Sequence, residues 1–367
     1  MKKLKKFLTI DGSEWGAVTN FAFSDEPLSG YIGSDPHGGV NVRRLEAIWA
    51  DTFDVSYAVA VNSATSGLLA ACMAAGVTHG DEVIVSPYTM SATAACPRIL
   101  GANIVWADIE HETFALDPIE VSNKITRKTR AVIVTNLFGH PAHLHELRDI
   151  CNAHGIWLIE DNAQAIFSRE RNILCGTIGH MGVFSLNIHK QLQTGEGGIV
   201  VCHDGILDKK LREAMNHGEM RNGIIGLNLR MTEITAVMAI EQLKKAEDIL
   251  LSRAQIWHSI SDEVERQGLP ITPPEIRQLC YHTCYAWAGI AKDSSFLPEK
   301  LPWPWRRGYV KPLYTLPAFT RMSSATGPAC ATTEEVNEAI VLFEVCAYDP
   351  TNDEIKQMVR ELGEAIG

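Results

Sequence analysis

The chain has 367 residues, of which 46% are hydrophobic, so it is long enough to bury more than one apolar core. Its formal net charge of -11 at pH 7 argues against a nucleic-acid-binding surface, which requires clustered basic residues. No stretch approaches the roughly 20 apolar residues of a membrane span, and residues 1–15 contain no apolar run of signal-peptide length. We therefore expect a soluble, cytoplasmic protein with one large and one smaller domain.

The nine cysteines do not have the pattern of a disulfide framework. They are odd in number and scattered along the chain, which is typical of reduced thiols in the cytosol. Cys280, His282 and Cys284 form the closest cluster. These three residues lie in an alternating stretch that predicts a β-strand, and they lack a second ligand pair at zinc spacing. We expect no metal site there.

Between residues 58 and 204, short apolar runs alternate with amphipathic segments. The runs lie at residues 58–62, 82–86, 103–109, 131–136, 156–161 and 198–202, and helices are predicted between several of them, as at 66–76 and 141–154. Continuous apolar strands separated by helices indicate a mainly parallel sheet with both faces covered. Ligands bind at the carboxyl ends of the strands in such sheets, so the polar residues there are the functional candidates.

A run of small residues follows the first predicted strand. The strand ends at Asn62, and the sequence SATSG at 63–67 opens the next predicted helix. The exposed N–H groups and the positive dipole end of a helix start can bind a phosphate. Serine and threonine also cap helices where no ligand binds, so this cluster alone favours a cap.

Two ionisable side chains stand near the ends of later apolar stretches. Asp161 ends a predicted buried strand, where an ionised carboxylate needs a partner such as a protonated pyridine nitrogen, although it could also cap the next turn. Lys190 lies between an apolar strand and the glycine-rich turn 195–198, which makes it a candidate for a desolvated, activated amine. Ser185 could supply a hydroxyl to a phosphate, and His189 is either a neighbour of the site or an ordinary polar residue.

Beyond Cys202 the pattern changes to long helix. Asn228 and Arg230 precede a helix predicted from Met231 to Leu250 and onward to about Gly268. A proline-rich break, a strand at 280–291, an ordered loop at 298–317 and a last helix at 352–366 are predicted in that order. We place a domain boundary near residue 250, which gives a large domain over 1–250 and a smaller one over 251–367.

The loop at residues 298–317 contains three basic residues among prolines and tryptophans. Arg306, Arg307 and Lys311 could bind a phosphate or a carboxylate. The alternative is a solvated loop that its tryptophans stabilise. The sequence favours neither interpretation.

Taken together, six motifs resemble the DegT/DnrJ/EryC1/StrS family of sugar aminotransferases. In chain order they are NSATSGL, GDEVIVSPYTMSATA, LFGHPA, IEDNAQA, FSLNIHKQLQTGEGG and NLRMTEITA. The resemblance covers roughly residues 28–250 and fades in the C-terminal third. It implies an α/β protein of the aspartate-aminotransferase-like fold (fold type I), with a mainly parallel central sheet flanked by helices and a smaller C-terminal α+β domain. It also implies the cofactor pyridoxal 5'-phosphate (PLP).

The resemblance assigns a role to each residue around the cofactor ring. Lys190 matches the lysine that forms the Schiff base and moves the proton, Asp161 the carboxylate on the pyridine nitrogen, and Gln164 the side chain near the ring hydroxyl. Many family members have an aromatic residue on the ring face at the position of Met90. A thioether can also pack on an aromatic ring, so we expect Met90, or Tyr88 in its place, to do so.

The resemblance also assigns the phosphate site. Thr65 and Ser66 match the phosphate-binding turn, and Ser185 matches a further phosphate ligand. Asn228 matches a residue that reaches the phosphate of the neighbouring subunit. This implies a homodimer with shared active sites.

The implied function is the transfer of an amino group from an amino acid, L-glutamate by resemblance, to a keto sugar that is linked to a nucleotide, or to a free keto sugar acid or cyclitol. A related sugar dehydratase would carry histidine in place of Lys190. A PLP-binding regulator would carry a basic DNA-binding module, and an inactive partner subunit would lack Lys190 or Asp161. A nicotinamide enzyme would carry G-x-G-x-x-G after the first strand, which this chain does not.

Overall fold

The computed structural model describes residues 3–31, 35–218, 223–293, 300–308, 311–320 and 330–366. The helices are α1 (Gly12–Ala22), α2 (Val40–Phe53), α3 (Ala64–Ala74), α4 (Ala92–Ile99), α5 (Pro118–Lys124), α6 (Leu144–His154), α7 (Gly205–Met215), α8 (Glu233–Lys244), α9 (Ala246–Gln267), α10 (Pro317–Thr320), α11 (Ala331–Ala339) and α12 (Asn352–Ile366). The strands are β1 (Tyr57–Val61), β2 (Glu82–Val85), β3 (Asn103–Trp106), β4 (Thr129–Thr135), β5 (Trp157–Asp161), β6 (Arg169–Glu170), β7 (Ile173–Leu174), β8 (Met181–Ser185), β9 (Gly198–Cys202), β10 (Ile271–Thr272), β11 (Cys280–Tyr281), β12 (Trp287–Ala291), β13 (Arg306–Arg307) and β14 (Ile340–Phe343).

A seven-stranded sheet forms the centre of the molecule, in the order β1-β9-β8-β5-β4-β2-β3. Strands β2, β3, β4, β5 and β8 pair in parallel, and β9 runs antiparallel to both of its neighbours. The predicted α/β fold with a mainly parallel sheet is therefore confirmed. β9 reverses direction because the chain between β8 and β9 is a loop without a crossover helix, and a parallel neighbour would require such a crossover.

Two glycines let helix α3 lie directly on this sheet. A Cβ at Gly67 would come within 2.8 Å of Val183 Cγ1 and 3.0 Å of Val200 Cγ2. A Cβ at Gly198 would lie 2.7 Å from the backbone nitrogen of Ala64. The start of α3 is thus fixed beside the carboxyl end of β8, at the edge of the sheet where ligands are expected.

A second, antiparallel sheet has the order β10-β12-β14-β13 and packs on α9 and α12. Its apolar core includes Trp257, Trp287, Phe343 and Met358, all of them buried. Helix α9 runs through residue 250 without a break, so the boundary at that residue stays a prediction. The final helix is found where the sequence predicts it, at Asn352–Ile366.

The long helix predicted from Met231 to about Gly268 is two helices. Chain direction changes at Lys245, whose backbone leaves the helical region at φ -100° and ψ 3°. The Lys245 ammonium there donates to the carbonyl of Thr9 at 2.6 Å and pairs with Glu14 at 2.5 Å. The prediction of one helix is wrong at this point, because the periodicity of apolar residues carries no information about contacts with the N-terminal segment.

The single strand predicted over residues 280–291 is also wrong. Only β11 and β12 are extended within this stretch. β11 belongs to a three-stranded sheet of order β11-β6-β7, whereas β12 belongs to the four-stranded sheet. Between them Cys284 has a positive φ of 52°, and its N–H donates to Nδ1 of His282 at 2.8 Å. Cys280, His282 and Cys284 are therefore separated by a tight bend. None of the cysteines, all of which lie in described residues, forms a disulfide.

Within the predicted loop at 298–317, the described residues include the short strand β13 and the start of α10. Arg306 and Arg307 make up β13, which pairs with β14. Lys311 lies in the described segment that precedes a turn of 3-10 helix at Leu313–Thr315. In the part of the chain that the structure describes, no helix has the length and hydrophobicity needed to cross a bilayer.

Two buried histidines, His140 and His282, pack against each other with ring centroids 5.4 Å apart. Nε2 of His140 accepts the N–H of Arg277 at 3.0 Å, and Nδ1 of His282 accepts the N–H of Cys284. Burial lowers the pKa of His140 to about 4 and the pKa of His282 well below its usual value. Both rings are neutral acceptors, and protonation would break these hydrogen bonds.

We expect acid to destabilise the fold through these rings. Below about pH 6.5 the unfolded chain binds protons that the folded chain does not bind until about pH 4, so stability is lost as the pH falls through this window. In His282→Asn, the side-chain oxygen can still accept the N–H two residues on, without titrating. Its melting temperature should therefore fall less than that of the wild type between about pH 7.5 and about pH 5. An equal fall in both proteins would contradict the assignment.

Candidate active site

A cavity of about 570 Å³ opens at the carboxyl ends of the central strands, between the large sheet and the C-terminal sheet. It brings together most of the residues that the sequence singles out. The predicted residues that line it are Thr65, Met90, Asp161, Gln164, Ser185 and Lys190. The side chains of His189, Glu196, Tyr285, Arg306 and Glu344 line it as well.

Asp161, the last residue of β5, lies at the cavity with only 4% of its surface exposed. One carboxylate oxygen accepts the hydroxyl of Thr93 at 2.8 Å, and the other accepts the N–H of Ala163 at 3.1 Å. Burial raises the pKa of Asp161, while these hydrogen bonds and the charge of Lys190 oppose the rise. The ionised carboxylate therefore gains from any further cationic partner in the cavity.

Three threonine hydroxyls form a chain that ends on Asp161. Thr89 Oγ1 lies 3.3 Å from Thr93 Oγ1 and 2.9 Å from Thr135 Oγ1. Because Thr93 gives its only hydroxyl proton to Asp161, its oxygen must accept from Thr89, whose oxygen in turn accepts from Thr135. All three are buried, so the direction of every hydrogen bond in the chain is fixed by the carboxylate.

Lys190 lies in the loop between β8 and β9. Its N–H donates to the carbonyl of Asn187 at 2.9 Å, and its own carbonyl accepts from Gln193 Nε2 at 3.0 Å. The ammonium nitrogen lies 4.8 Å from the centre of the Tyr285 ring. Enclosure lowers the pKa of Lys190, and the charge of Asp161 opposes this shift. A lysine with a lowered pKa has a larger share of nucleophilic amine near neutral pH.

The start of α3 is held by a side-chain cap. Ser63 is the N-cap: its oxygen accepts the N–H of Ser66 at 3.1 Å, and its hydroxyl donates to the side-chain oxygen of Ser66 at 3.0 Å. Ser63 and Thr65 line the cavity. The role of Ser66 as a phosphate ligand stays a prediction.

Met90 and Gln164 lie on the cavity wall, but Tyr88 does not take the place of Met90. Met90 is 46% exposed, and its sulfur accepts the N–H of Ala92 at 3.1 Å. Gln164 accepts the N–H of Phe138 at 2.9 Å through its side-chain oxygen. Tyr88 is 1% exposed and packs edge-on against Phe138 in a separate apolar cluster. Burial of this ring removes it from the candidates for stacking.

Asn228 is exposed and does not join this group within its own chain. Its side-chain oxygen accepts Nε of Arg230 at 2.9 Å, and Arg230 also donates to Asn216 at 3.0 Å. The Arg230 guanidinium lies 5.6 Å from the Tyr31 ring. The role of Asn228 stays a prediction that requires a second subunit.

Several residues at or beside the cavity carry no clear signal in the sequence. Thr135 ends β4 and could have been found as a polar residue at a strand end. Thr93 lies inside α4 and reaches the site through Asp161. Tyr285 and Glu344 come from the C-terminal third, and only the packing of that part against the central sheet brings them to the cavity.

The comparison with known proteins decides the family. The model of the DegT/DnrJ/EryC1/StrS aminotransferase family matches residues 34–362. The chain belongs to this family. It is therefore an aminotransferase, and its cofactor is pyridoxal 5'-phosphate, as the sequence resemblance implied.

Several known proteins are similar to this DegT/DnrJ/EryC1/StrS aminotransferase. GDP-perosamine synthase of Vibrio cholerae is 32% identical over 273 residues, 73% of each chain. L-glutamine:2-deoxy-scyllo-inosose aminotransferase of Streptomyces kanamyceticus is 31% identical over 326 residues, 80% of this chain and 76% of the relative. The aminotransferase of Psychrobacter cryohalolentis, solved by X-ray crystallography, superimposes with a TM-score of 0.87 at 25% identity over 98% of each chain.

The residues present in the cavity fit this cofactor. The helix start at Ala64, together with the hydroxyl of Thr65, is suited to a phosphate. Asp161 offers a buried carboxylate to a protonated ring nitrogen, and Lys190 offers an amine to an aldehyde. The chemistry of this donor set agrees with that of pyridoxal phosphate at each of its three functional groups.

We expect Thr93→Val to destabilise the protein. Valine has nearly the shape of threonine but leaves the buried Asp161 carboxylate without its hydroxyl donor, which should cost about 1–3 kcal/mol of unfolding free energy. Thr93→Ser keeps the hydroxyl and should recover most of the loss. Urea-induced unfolding of the three proteins at neutral pH measures the difference. A valine variant as stable as the wild type would show that the hydroxyl does not stabilise the carboxylate.

Proposed function

We propose that this enzyme transfers the amino group of an amino acid to the carbonyl carbon of a keto sugar, with Lys190 and Asp161 as its catalytic residues. The observation that carries the proposal is the convergence of a half-buried amine, a buried carboxylate and a helix start in one cavity. The names of two relatives agree with this class of acceptor, since one makes a GDP-linked sugar and the other aminates 2-deoxy-scyllo-inosose.

The acceptor is a nucleotide-linked keto sugar, and the donor is L-glutamate. A cyclitol acceptor is the second candidate, because the cyclitol-aminating relative matches 80% of this chain. The name of that relative gives L-glutamine as its donor, so L-glutamine is the alternative donor to test. The enzyme acts in the cytoplasm, where the cysteines remain thiols.

Asp161 holds a proton on the pyridine nitrogen. When bound, pyridoxal phosphate supplies a ring that withdraws electrons from the substrate carbon, and it does so best while this nitrogen is protonated. The buried Asp161 carboxylate favours the protonated nitrogen because a cation in the cavity offsets the cost of burying the negative charge. Thr93 and Ala163 hold the two carboxylate oxygens in place.

Lys190 would hold the cofactor through its aldehyde, and its amine would move the proton at the substrate carbon. Its lowered pKa suits both roles, because the neutral amine is the nucleophile and the base. The backbone bonds to Asn187 and Gln193 fix the position of the loop that carries it. The Tyr285 ring covers one side of the ammonium and limits its access to water.

The remaining predicted residues would orient the cofactor. Thr65, Ser66 and Ser185 would hold the phosphate at the start of α3, where the cap bonds between Ser63 and Ser66 fix the turn. The Met90 thioether would pack on one face of the ring, and Gln164 would lie near the ring hydroxyl.

The active enzyme is a homodimer. Two apolar residues next to Asn228 are exposed to solvent, Ile225 with 88% and Leu227 with 44% of its surface. A second subunit would cover them, and it would bring Asn228 to the phosphate of the partner cavity. The Arg230 bond fixes the side-chain oxygen of Asn228 and thereby turns its NH2 group, the donor that a phosphate needs, away from Arg230.

We expect Lys190→Ala to abolish transamination and the covalent attachment of the cofactor. Borohydride treatment of the wild type should fix one pyridoxyl group to the peptide that contains Lys190, which mass spectrometry can detect. Lys128→Ala is the matched control, because Lys128 is an exposed lysine outside the cavity. Attachment at another lysine, or wild-type activity of Lys190→Ala, would contradict the assignment.

We expect two inactive variants to restore activity when they form mixed dimers. Lys190→Ala and Asn228→Ala should each be severely impaired, and a mixed dimer should contain one site with both residues intact. About a quarter of wild-type activity is expected when equal amounts exchange fully, since about half of the dimers are mixed and each has one of its two sites intact. Labelled chains establish that exchange takes place. Exchanged dimers without activity would rule out a shared site.

A further inference from the structure

The cavity contains an ion pair that the chemistry above does not use. Nη2 of Arg306 contacts Oε1 of Glu344, and both residues line the cavity. Arg306 lies on β13 opposite Leu342 of β14, and Glu344 directly follows β14. The pair is therefore held by two adjacent strands of the C-terminal sheet, opposite the residues from the central sheet.

An aminotransferase must admit two unlike substrates to one cavity in turn. The amino donor carries at least one carboxylate, whereas the sugar ring of the acceptor carries none. While Arg306 pairs with Glu344, the opposite charges of these two side chains offset each other, which suits an uncharged sugar ring. A guanidinium that turns from Glu344 offers two parallel N–H donors, which match a substrate carboxylate.

We propose that Arg306 exchanges partners during the reaction: it binds a carboxylate of the amino donor in one half-reaction and returns to Glu344 when the keto sugar occupies the cavity. The assignment of these two substrates rests on the proposed function. The binding of a carboxylate by Arg306 does not.

Because both side chains are partly exposed, separating them costs little free energy. Arg306 is 40% and Glu344 26% exposed, and ion pairs in contact with water contribute little net stability. Glu344 can therefore be hydrated when Arg306 leaves it, whereas a fully buried carboxylate would be left uncompensated. Among the described residues that line the cavity, Lys190 is the other lysine or arginine, and it is committed to the cofactor.

The test uses the holoenzyme and glutarate, a dicarboxylate without an amino group, with uncharged glutaramide as the ligand control. Arg306→Gln should weaken glutarate binding about tenfold in calorimetric titration, because one charge-assisted contact is lost. Glu344→Gln should tighten it several-fold, since the competing carboxylate is gone. Neither variant should change the binding of glutaramide. Arg307→Gln is the matched control, because the side chain that follows Arg306 on a strand points to the opposite face.

Measuring the two half-reactions separately distinguishes an exchange of partners by Arg306 from a purely structural role of this residue. Arg306→Gln should slow the reaction of the cofactor with the amino donor, seen in its absorbance spectrum, and leave the reaction with the keto sugar within about twofold of wild type. Unchanged glutarate affinity in Arg306→Gln, or an equal loss in both half-reactions, would overturn the proposal. If Arg306→Gln does not fold, the opposite sign expected for Glu344→Gln still tests it.

The two proposals fail in different ways. If the wild-type enzyme binds glutarate through Arg306 but aminates no keto sugar, the proposed acceptor is contradicted and the proposed carboxylate site is still supported. An enzyme that aminates keto sugars but binds glutarate equally well with and without Arg306 would contradict only the carboxylate site.

Discussion

The active site depends on a carboxylate held almost without solvent contact at the end of β5. Burial raises the pKa of Asp161, while hydrogen bonds from Thr93 and Ala163 and the charge of Lys190 in the same cavity oppose that rise and favour the ionised form. These donors come from different parts of the chain, and the Thr93 hydroxyl is oriented in turn by Thr89 and Thr135. The position of one charge thus requires that β4, β5 and α4 pack in one arrangement.

The loop that carries Lys190 depends on contacts with the N-terminal segment. Gln193 donates to the carbonyl of Lys190, and Gln242 accepts the N–H of Gln193 at 2.9 Å. The same oxygen of Gln242 accepts the hydroxyl of Thr9 at 2.6 Å, and its amide donates to the buried Glu14 at 2.7 Å. A buried network therefore ties the first residues of the chain to the catalytic loop, which explains why this segment lies packed against α8.

The two sheets contribute different parts of the cavity. The central sheet and α3 supply the carboxylate, the lysine and the helix start, which suit the invariant groups of a cofactor. The C-terminal sheet supplies Tyr285, Arg306 and Glu344, which face the space left for substrates. The family model matches both parts, since it covers residues 34–362. The expectation from the motifs that the resemblance fades after about residue 250 is therefore wrong, because short motifs report only the cofactor site and not the fold of the second part.

The sequence by itself determined the strands of the central sheet and placed Asp161 and Lys190 near their ends, because apolar runs and glycine turns report local burial and direction. It also predicted that these residues meet, since parallel strands present their carboxyl ends at one edge. Only the tertiary structure decided that Tyr88 is buried and that the stretch at 280–291 bends at Cys284. Each of these depends on contacts between segments far apart in the chain, and periodicity carries no information about such contacts.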